Sequence, residues 1–438
     1  MSSHSLFDGW PSGCRPVAAP KRLAHAFARS WKPAPPQTPT LLATPRLLLL
    51  IVLCLVGLPA RAQTKSDYYQ NPTDTTLYSR ALAQPRQLTV ILPTTFNPAR
   101  KTKYPLILVF DRQNQDIFRQ LYESINYLTR FDAMPEAVIV GLTSSPSQRN
   151  RETSLPADMA GARGEELLRF VFDELLPWCA ATYHTGACRT LIGHSRFGYF
   201  STVMMCRQAT QLSGVIALSP FYQQGRANWV DSVTTRFAPT QPLARRLCYR
   251  FVTGDSLSDT PGYARMHAAL RRAKLHPNFD WGGAAFYQAK HHVVPGLGVL
   301  PALLDIFQPW SATADAFSSY PPVGTQLAYA AFQAKMQQVY GEEMSLGLAR
   351  LNGLGNEYNA EKQYDKALFF WRQLLDEYPF FSATYVDIAE LLLVQGQRKE
   401  AKRYLERGLQ SLRANRFLPA PAQAQLAQTM QQKLATLR

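Results

Sequence analysis

Nowhere in these 438 residues is there the run of roughly 20 apolar residues that a bilayer-spanning helix needs. The twelve-residue stretch Leu47–Leu58 falls short of that length. Also missing is any Lys/Arg run interleaved with aromatics, which excludes a dedicated polyphosphate surface and a nucleic-acid partner despite a net charge of +16. Seven of the 47 basic residues lie in 1–62 against one acid, Asp8, and the others are scattered. Cysteine is scarce, with six residues whose spacing fits no zinc motif. His184 and His194 lack partners at ligand spacing and read as structural, so neither metal nor cofactor is expected. With 46% hydrophobic and 11% aromatic residues, the chain is not mainly disordered, and its length suits more than one domain.

Present instead is an export signature. Arg46, the apolar run and Pro59-Ala-Arg-Ala62 form a basic flank, a short core and an A-x-A cleavage site, predicting a periplasmic or extracellular product cut near Ala62. Cleavage leaves Cys179, Cys188, Cys206 and Cys248, which allow three disulfide pairings or buried free thiols.

The expected layout is a signal peptide and extension at 1–62, an α/β domain at 63–312, a linker at 313–324 and a helical repeat domain at 325–438. Apolar runs at 88–92, 106–110, 137–141, 190–192, 214–218 and 249–253, with another strand around 278–287, alternate with helical stretches. Continuous apolar strands separated by helices predict a mostly parallel central sheet covered on both faces. Gly164–Pro177 reads as an amphipathic helix ended by its proline. Beyond the linker, Leu351/Tyr385, Leu354/Ile388, Gly355/Ala389, Tyr358/Leu392, Ala367/Ala401, Trp371/Leu405 and Leu374/Gly408 align at a period of 34. Their large-small-aromatic-small order resembles the tetratricopeptide repeat, with capping helices expected at Gln326–Tyr340 and Ala422–Leu437. Trp371, Tyr358 and Phe370 are read as helix-packing residues.

The chemistry centres on Thr190-Leu-Ile-Gly193-His194-Ser195-Arg196-Phe197-Gly198, an apolar strand passing through glycines into a helical pattern. A serine there is exposed above the sheet beside helix N-terminal amides suited to an oxyanion. Its base and acid follow in the order Ser, Asp/Glu, His. Asp255 and Asp259 lie after the strand at 249–253, and His291 and His292 after the one near 278–287. Phe221, Tyr222 and Trp229 are candidates to line an acyl or alcohol pocket, or to pack on one another.

Several motifs carry a family resemblance: Tyr104–Asp111, Val138–Leu142 followed by Arg149–Pro156, Glu174–Pro177 leading to Tyr183, Arg189 and Gly193-His-Ser195, and Ala217–Pro220. From about Arg86 to Phe307 the chain resembles the putative-esterase family of α/β-hydrolases, which includes esterase D, enterochelin esterase-like proteins and feruloyl esterases. The resemblance implies an α/β-hydrolase fold, Ser195 as nucleophile, His291 as base with His292 the competitor, and Asp259 as acid with Asp255 the alternative. It places the oxyanion donors on the backbone of Arg196 and of Arg112 or Gln113. The implied substrate is a small-molecule, glycan or siderophore-type ester. Phe197 stands where relatives usually carry glycine, so the elbow requires packing that accommodates a ring. Arginines 112 and 196 beside the expected carbonyl site hint at an anionic substrate group, or else turn to solvent or acids. Acyl transfer by the same triad is an alternative function. Another is a catalytically inactive binding protein acting through its repeats, which would take a protein partner or self-associate.

Overall fold

Unbroken apolar runs form the centre of a sheet that is packed on both sides. The computed structural model describes residues 68–222, 228–255, 260–317, 326–415 and 417–437. The expected signal peptide and most of the expected linker lie outside them.

The strands are β1 (Thr73–Ser79), β2 (Gln84–Ile91), β3 (Tyr104–Phe110), β4 (Val138–Leu142), β5 (Thr185–His194), β6 (Gly214–Leu218), β7 (Leu247–Thr253) and β8 (Phe279–Ala285). They form one sheet in the order β1-β2-β4-β3-β5-β6-β7-β8. The β1–β2 and β2–β4 pairings are antiparallel. From β4 to β8 every pairing is parallel. Helices α1 (Gln115–Arg130), α2 (Pro146–Glu152), α3 (Gly164–Arg169, continuing through a π turn at Phe170–Leu175 into Leu176–Tyr183), α4 (Arg196–Gln208), α5 (Trp229–Arg236), α6 (Thr260–Arg272) and α7 (Val294–Asp315) connect or follow the strands.

Side chains alternate across the pleat, so each strand supplies two cores. Ile107, Val109, Ile139, Ile192 and Ile216 meet α1 and α7. Leu106, Leu108, Val140, Leu191 and Val215 meet α3, α4 and α6. Pro177 does not end α3 as the sequence suggested. The turn before it widens to a π turn, in which the Leu176 N–H reaches back to the Val171 carbonyl, and this makes room for a ring that lacks an N–H.

The C-terminal region is all helical: α8 (Gln326–Tyr340), α9 (Leu348–Ala360), α10 (Tyr364–Glu377), α11 (Ala383–Val394), α12 (Arg398–Ala414) and α13 (Ala420–Ala435). The 34-residue alignment corresponds to two successive helical hairpins, α9–α10 and α11–α12. Small residues sit where bulky ones cross. A Cβ on Gly355 would lie 2.2 Å from the Trp371 ring, and one on Gly408 would lie 2.9 Å from Tyr385 Cβ.

The boundary drawn at 312 falls inside α7, and the C-terminal helices pack directly against the α/β core. One apolar core runs from Ile306, Phe307 and Trp310 into Phe332, Met336, Tyr340 and Trp371. Polar contacts reinforce it at the N-terminal ends of the parallel strands. Glu342 accepts from the backbone N–H groups of Ala187 (2.7 Å) and Cys188 (2.8 Å) at the start of β5. Glu377 accepts from Thr102 Oγ1 at 2.6 Å, and Tyr378 donates to Glu136 at 3.2 Å. Arg100 lies 3.6 Å from Glu136 and 3.7 Å from Glu377. With one guanidinium between two buried carboxylates, burial wins over pairing and holds both acids above their usual range.

Candidate active site

The β5–α4 junction bends sharply at Ser195, whose backbone adopts φ 59° and ψ −118°. Few non-glycine residues take such a conformation, and it persists only where the surroundings impose it. Here the Ser195 N–H donates to the Leu218 carbonyl at 2.8 Å, and its own carbonyl accepts from Tyr199 (3.0 Å) and Phe221 (3.3 Å). Gly193 is indispensable, because a Cβ there would lie 2.2 Å from the Phe197 carbonyl oxygen. Gly198 packs almost as closely, its virtual Cβ 3.0 Å from the Leu218 carbonyl oxygen. Phe197 is accommodated because its buried ring stacks on Phe110, with centroids 4.7 Å apart and planes 6° off parallel. The first-turn N–H groups of α4, beginning with Arg196, have no carbonyl partner one turn back in the helix, which leaves them available to a developing oxyanion.

The loop after β3 is braced from several sides. Asp111 sits at φ 62°, and its carboxylate receives both Nε (2.8 Å) and Nη2 (2.8 Å) of Arg149. Gln113 donates to Asp111 at 2.8 Å and accepts from the Ser144 N–H at 2.9 Å. One expectation needs correcting: the Arg112 N–H donates to the Leu142 carbonyl at 3.1 Å, so it is not an oxyanion donor, and Gln113 is left as this loop's candidate. The hint of an anionic substrate group also loses its basis. Arg196 is turned onto Thr153 Oγ1 (3.1 Å), Ser154 Oγ (3.2 Å) and the Asn150 carbonyl (3.2 Å). The Arg112 guanidinium covers the Phe118 ring at 4.8 Å.

Beneath α2, Arg86 and Glu152 form a fully buried pair at 2.7 Å. Arg86 also donates to the Thr143 carbonyl (3.2 Å) and Ser144 Oγ (3.1 Å), which fixes the segment presenting Arg149.

On the opposite side, residues 286–293 form the turn that enters α7. The Phe286 N–H donates to the Thr253 carbonyl (2.9 Å), the Asp255 N–H to the Ala289 carbonyl (2.9 Å), and the Val293 N–H to the Lys290 carbonyl (2.8 Å). Asp255 is exposed, and its carboxylate accepts from the Gln288 N–H. That contact makes it a clasp on this turn. Asp259 lies outside the described residues. His291 is half-buried and His292 exposed. The fold brings both to the elbow: their ring centroids lie 4.6 Å and 5.5 Å from that of His194, the residue before Ser195.

Sequence reasoning passed over two residues. Arg149 belongs to a motif noted in the sequence, yet its bond to Asp111 becomes visible only in the fold. His194, set aside as structural, places Nε2 3.0 Å from the His291 carbonyl oxygen. Tyr222 and Trp229 are core residues instead of pocket walls. Tyr222 shares a hydrogen bond with the Tyr249 hydroxyl, and Trp229 Nε1 donates to Tyr199 at 2.8 Å. The four cysteines are free and buried, and burial pushes the thiols of Cys179 and Cys206 up to about 12, which makes them poor nucleophiles. Among the described residues no group of three or more His, Cys, Asp or Glu side chains is placed to hold a metal ion, and no helix is long and apolar enough to cross a membrane.

A serine on a strained strand-to-helix bend, at the C-terminal edge of a parallel sheet with two antiparallel pairings at one side, defines an α/β-hydrolase. Residues 79–257 match the family model described as "Putative esterase", so this segment is similar to carboxylic-ester hydrolases. No curated protein matches the chain. Among solved structures, an uncharacterised protein from Capnocytophaga ochracea DSM 7271 aligns at 14% identity and TM-score 0.52, covering 84% of this chain and 99% of its own. That share exceeds residues 68–315, so the similarity of fold takes in C-terminal helices. An IroE-like serine hydrolase from Shewanella oneidensis aligns at 14% identity and TM-score 0.54, covering 69% of this chain and 98% of its own.

Proposed function

We propose that the protein is an exported serine esterase in which Ser195 attacks the ester carbonyl, His291 takes its proton and Asp259 orients the imidazole. The observation that carries this reading is the Ser195 bend at φ 59° with the turn of His291 tethered beside it. An unassisted hydroxyl is a weak nucleophile, so an imidazole within reach is what the bend requires. His291 is favoured over His292 because it is half-buried and its backbone is held. With Asp255 occupied by the 286–289 turn, Asp259 is the acid left on that loop.

In the first step the serine oxygen bonds to the carbonyl carbon, its proton passes to His291, and the oxyanion is met by the N–H groups of Arg196 and Gln113. Collapse expels the alcohol, which takes the proton from His291. Water then attacks the acyl-enzyme with His291 again as base, releasing the carboxylic acid and restoring Ser195. The substrate is a small-molecule ester. The helical hairpins, read as tetratricopeptide-type repeats, serve a protein partner or self-association.

A fluorophosphonate probe tests the assignment. Wild type should be labelled and should hydrolyse p-nitrophenyl esters, while Ser195→Ala should do neither. Equal labelling of both would remove Ser195 from the mechanism.

A further inference from the structure

Residue 194 touches both Arg149 of α2 and the turn of His291 and His292, yet a serine triad gives its side chain no task. It ends β5 and is 5% exposed. Its carbonyl accepts from Arg149 Nη2 at 3.3 Å, the same guanidinium that grips Asp111 on the oxyanion side. Its imidazole points the other way, Nε2 lying 3.0 Å from the His291 carbonyl oxygen. A carbonyl only accepts, so this contact fixes the tautomer that carries hydrogen on Nε2.

We propose that His194 is a positioning residue, whose Nε2–H clamps the peptide of His291 to the end of β5 and so holds the base imidazole against the serine that follows it. The proposal rests on the Ser195–His291 reading. The bonds of Phe286 to Thr253 and of Asp255 to Ala289 anchor this turn as far as residue 289. Two residues later the His194 bond supplies the anchor at the base itself. Without it, the backbone at His291 would lose its tie to the end of β5, and the base imidazole would be placed less closely against Ser195.

The groups facing this imidazole are His291 and His292 from the base turn and Arg149 from α2. Burial first, then His291, with His292 and Arg149 adding, holds its pKa down at about 3. The ring is therefore neutral at any working pH. When His291 takes the serine proton, the new positive charge meets a neutral neighbour at 4.6 Å instead of a second imidazolium. A lysine or arginine at 194 would repel that charge, whereas a neutral donor does not.

His194→Gln retains an amide N–H at nearly the reach of Nε2, and His194→Phe fills the space without a donor. Should the phenylalanine variant fail to fold, His194→Asn, with its shorter amide, replaces it. On a p-nitrophenyl ester, His194→Phe should lose about 10- to 100-fold in kcat with KM nearly unchanged, the scale expected of a misplaced catalytic group. His194→Gln should recover most of that loss. The acidic limb of the kcat–pH profile should move in His194→Phe and return in His194→Gln. Amides of residues 290–293 should exchange hydrogen faster in His194→Phe than in wild type and be protected again in His194→Gln.

Equal kcat in the two variants, or unaltered exchange in the turn, overturns the clamp even if wild type hydrolyses esters normally. Exchange that follows the donor while wild-type Ser195 resists the fluorophosphonate supports the tether and overturns the triad reading instead.

Discussion

The docking of the C-terminal helices can be tested at one carboxylate. Glu342 is 9% exposed and accepts two backbone N–H bonds of 2.7 and 2.8 Å from Ala187 and Cys188. Residue 186 must be glycine for this, since a Cβ there would fall 1.5 Å from Glu342 Oε2. Hydrogen bonds to a charged group contribute about 1.5–3 kcal/mol each. Burial already holds this acid above its usual range, a cost that offsets part of the gain. Glu342→Ala should therefore destabilise by about 2–4 kcal/mol, less than the sum of two full bonds. Gly186→Ala should cost a similar amount, because it expels the same carboxylate. The double variant should be little worse than Glu342→Ala alone, with a coupling of about 2 kcal/mol. Urea unfolding of the four proteins, followed by both circular dichroism and tryptophan fluorescence, measures the cycle. Additivity within about 0.5 kcal/mol would mean that the two residues act separately, refuting the argument. Ester hydrolysis by the folded variants should be unchanged, since β5 places about 30 Å between Gly186 and Ser195.

Restoring the family's usual glycine by Phe197→Gly should harm the enzyme: losing the ring stacked on Phe110 costs about 3–5 kcal/mol, and glycine in a helix about 1 more, measured by denaturant unfolding. An equally stable variant would show that the stack contributes nothing. Burial, helped by Glu390, raises the Asp387 carboxyl to about 6, against 3.8 unfolded. Between these values the native state holds a proton that the unfolded chain has released, so stability falls as pH rises from about 4 to 6 and stays lower above. Asp387→Asn should be more stable than wild type above pH 6, with the advantage shrinking towards pH 4; an advantage independent of pH would rule this out.

What could be read from the sequence was what local pattern carries. The strands at the sheet's centre are continuous apolar runs because both faces are covered, and the elbow is marked by glycines that its close contacts demand. β1 escaped notice because it is a polar edge strand, TDTTLYS, with no apolar run to mark it. Pro177 misled because a π turn, which has no sequence signature, absorbs it. The fit of Phe197 depends on Phe110, and the loss of Arg112 as oxyanion donor on the Leu142 carbonyl; both are pairings between distant segments. His194 was discounted for want of a ligand partner at the right spacing, whereas its partner is a backbone carbonyl that no spacing rule can reveal.

The places where the helices hold the sheet constrain what they can do. Arg100 and Thr102 precede β3, Glu136 precedes β4, Ala187 and Cys188 begin β5, and Arg245, which donates to the Tyr340 carbonyl at 2.6 Å, precedes β7. All are N-terminal ends of parallel strands, whereas ligands of open α/β sheets sit at the carboxyl ends, where Ser195 lies. The helices therefore cannot wall the ester pocket. Substrate choice must come from the loops that leave the carboxyl ends, and anything bound to the helices can reach the chemistry only through the frame. Two cores sharing one sheet make that frame stiff, so a partner held there would govern where the enzyme works more readily than how fast it turns over.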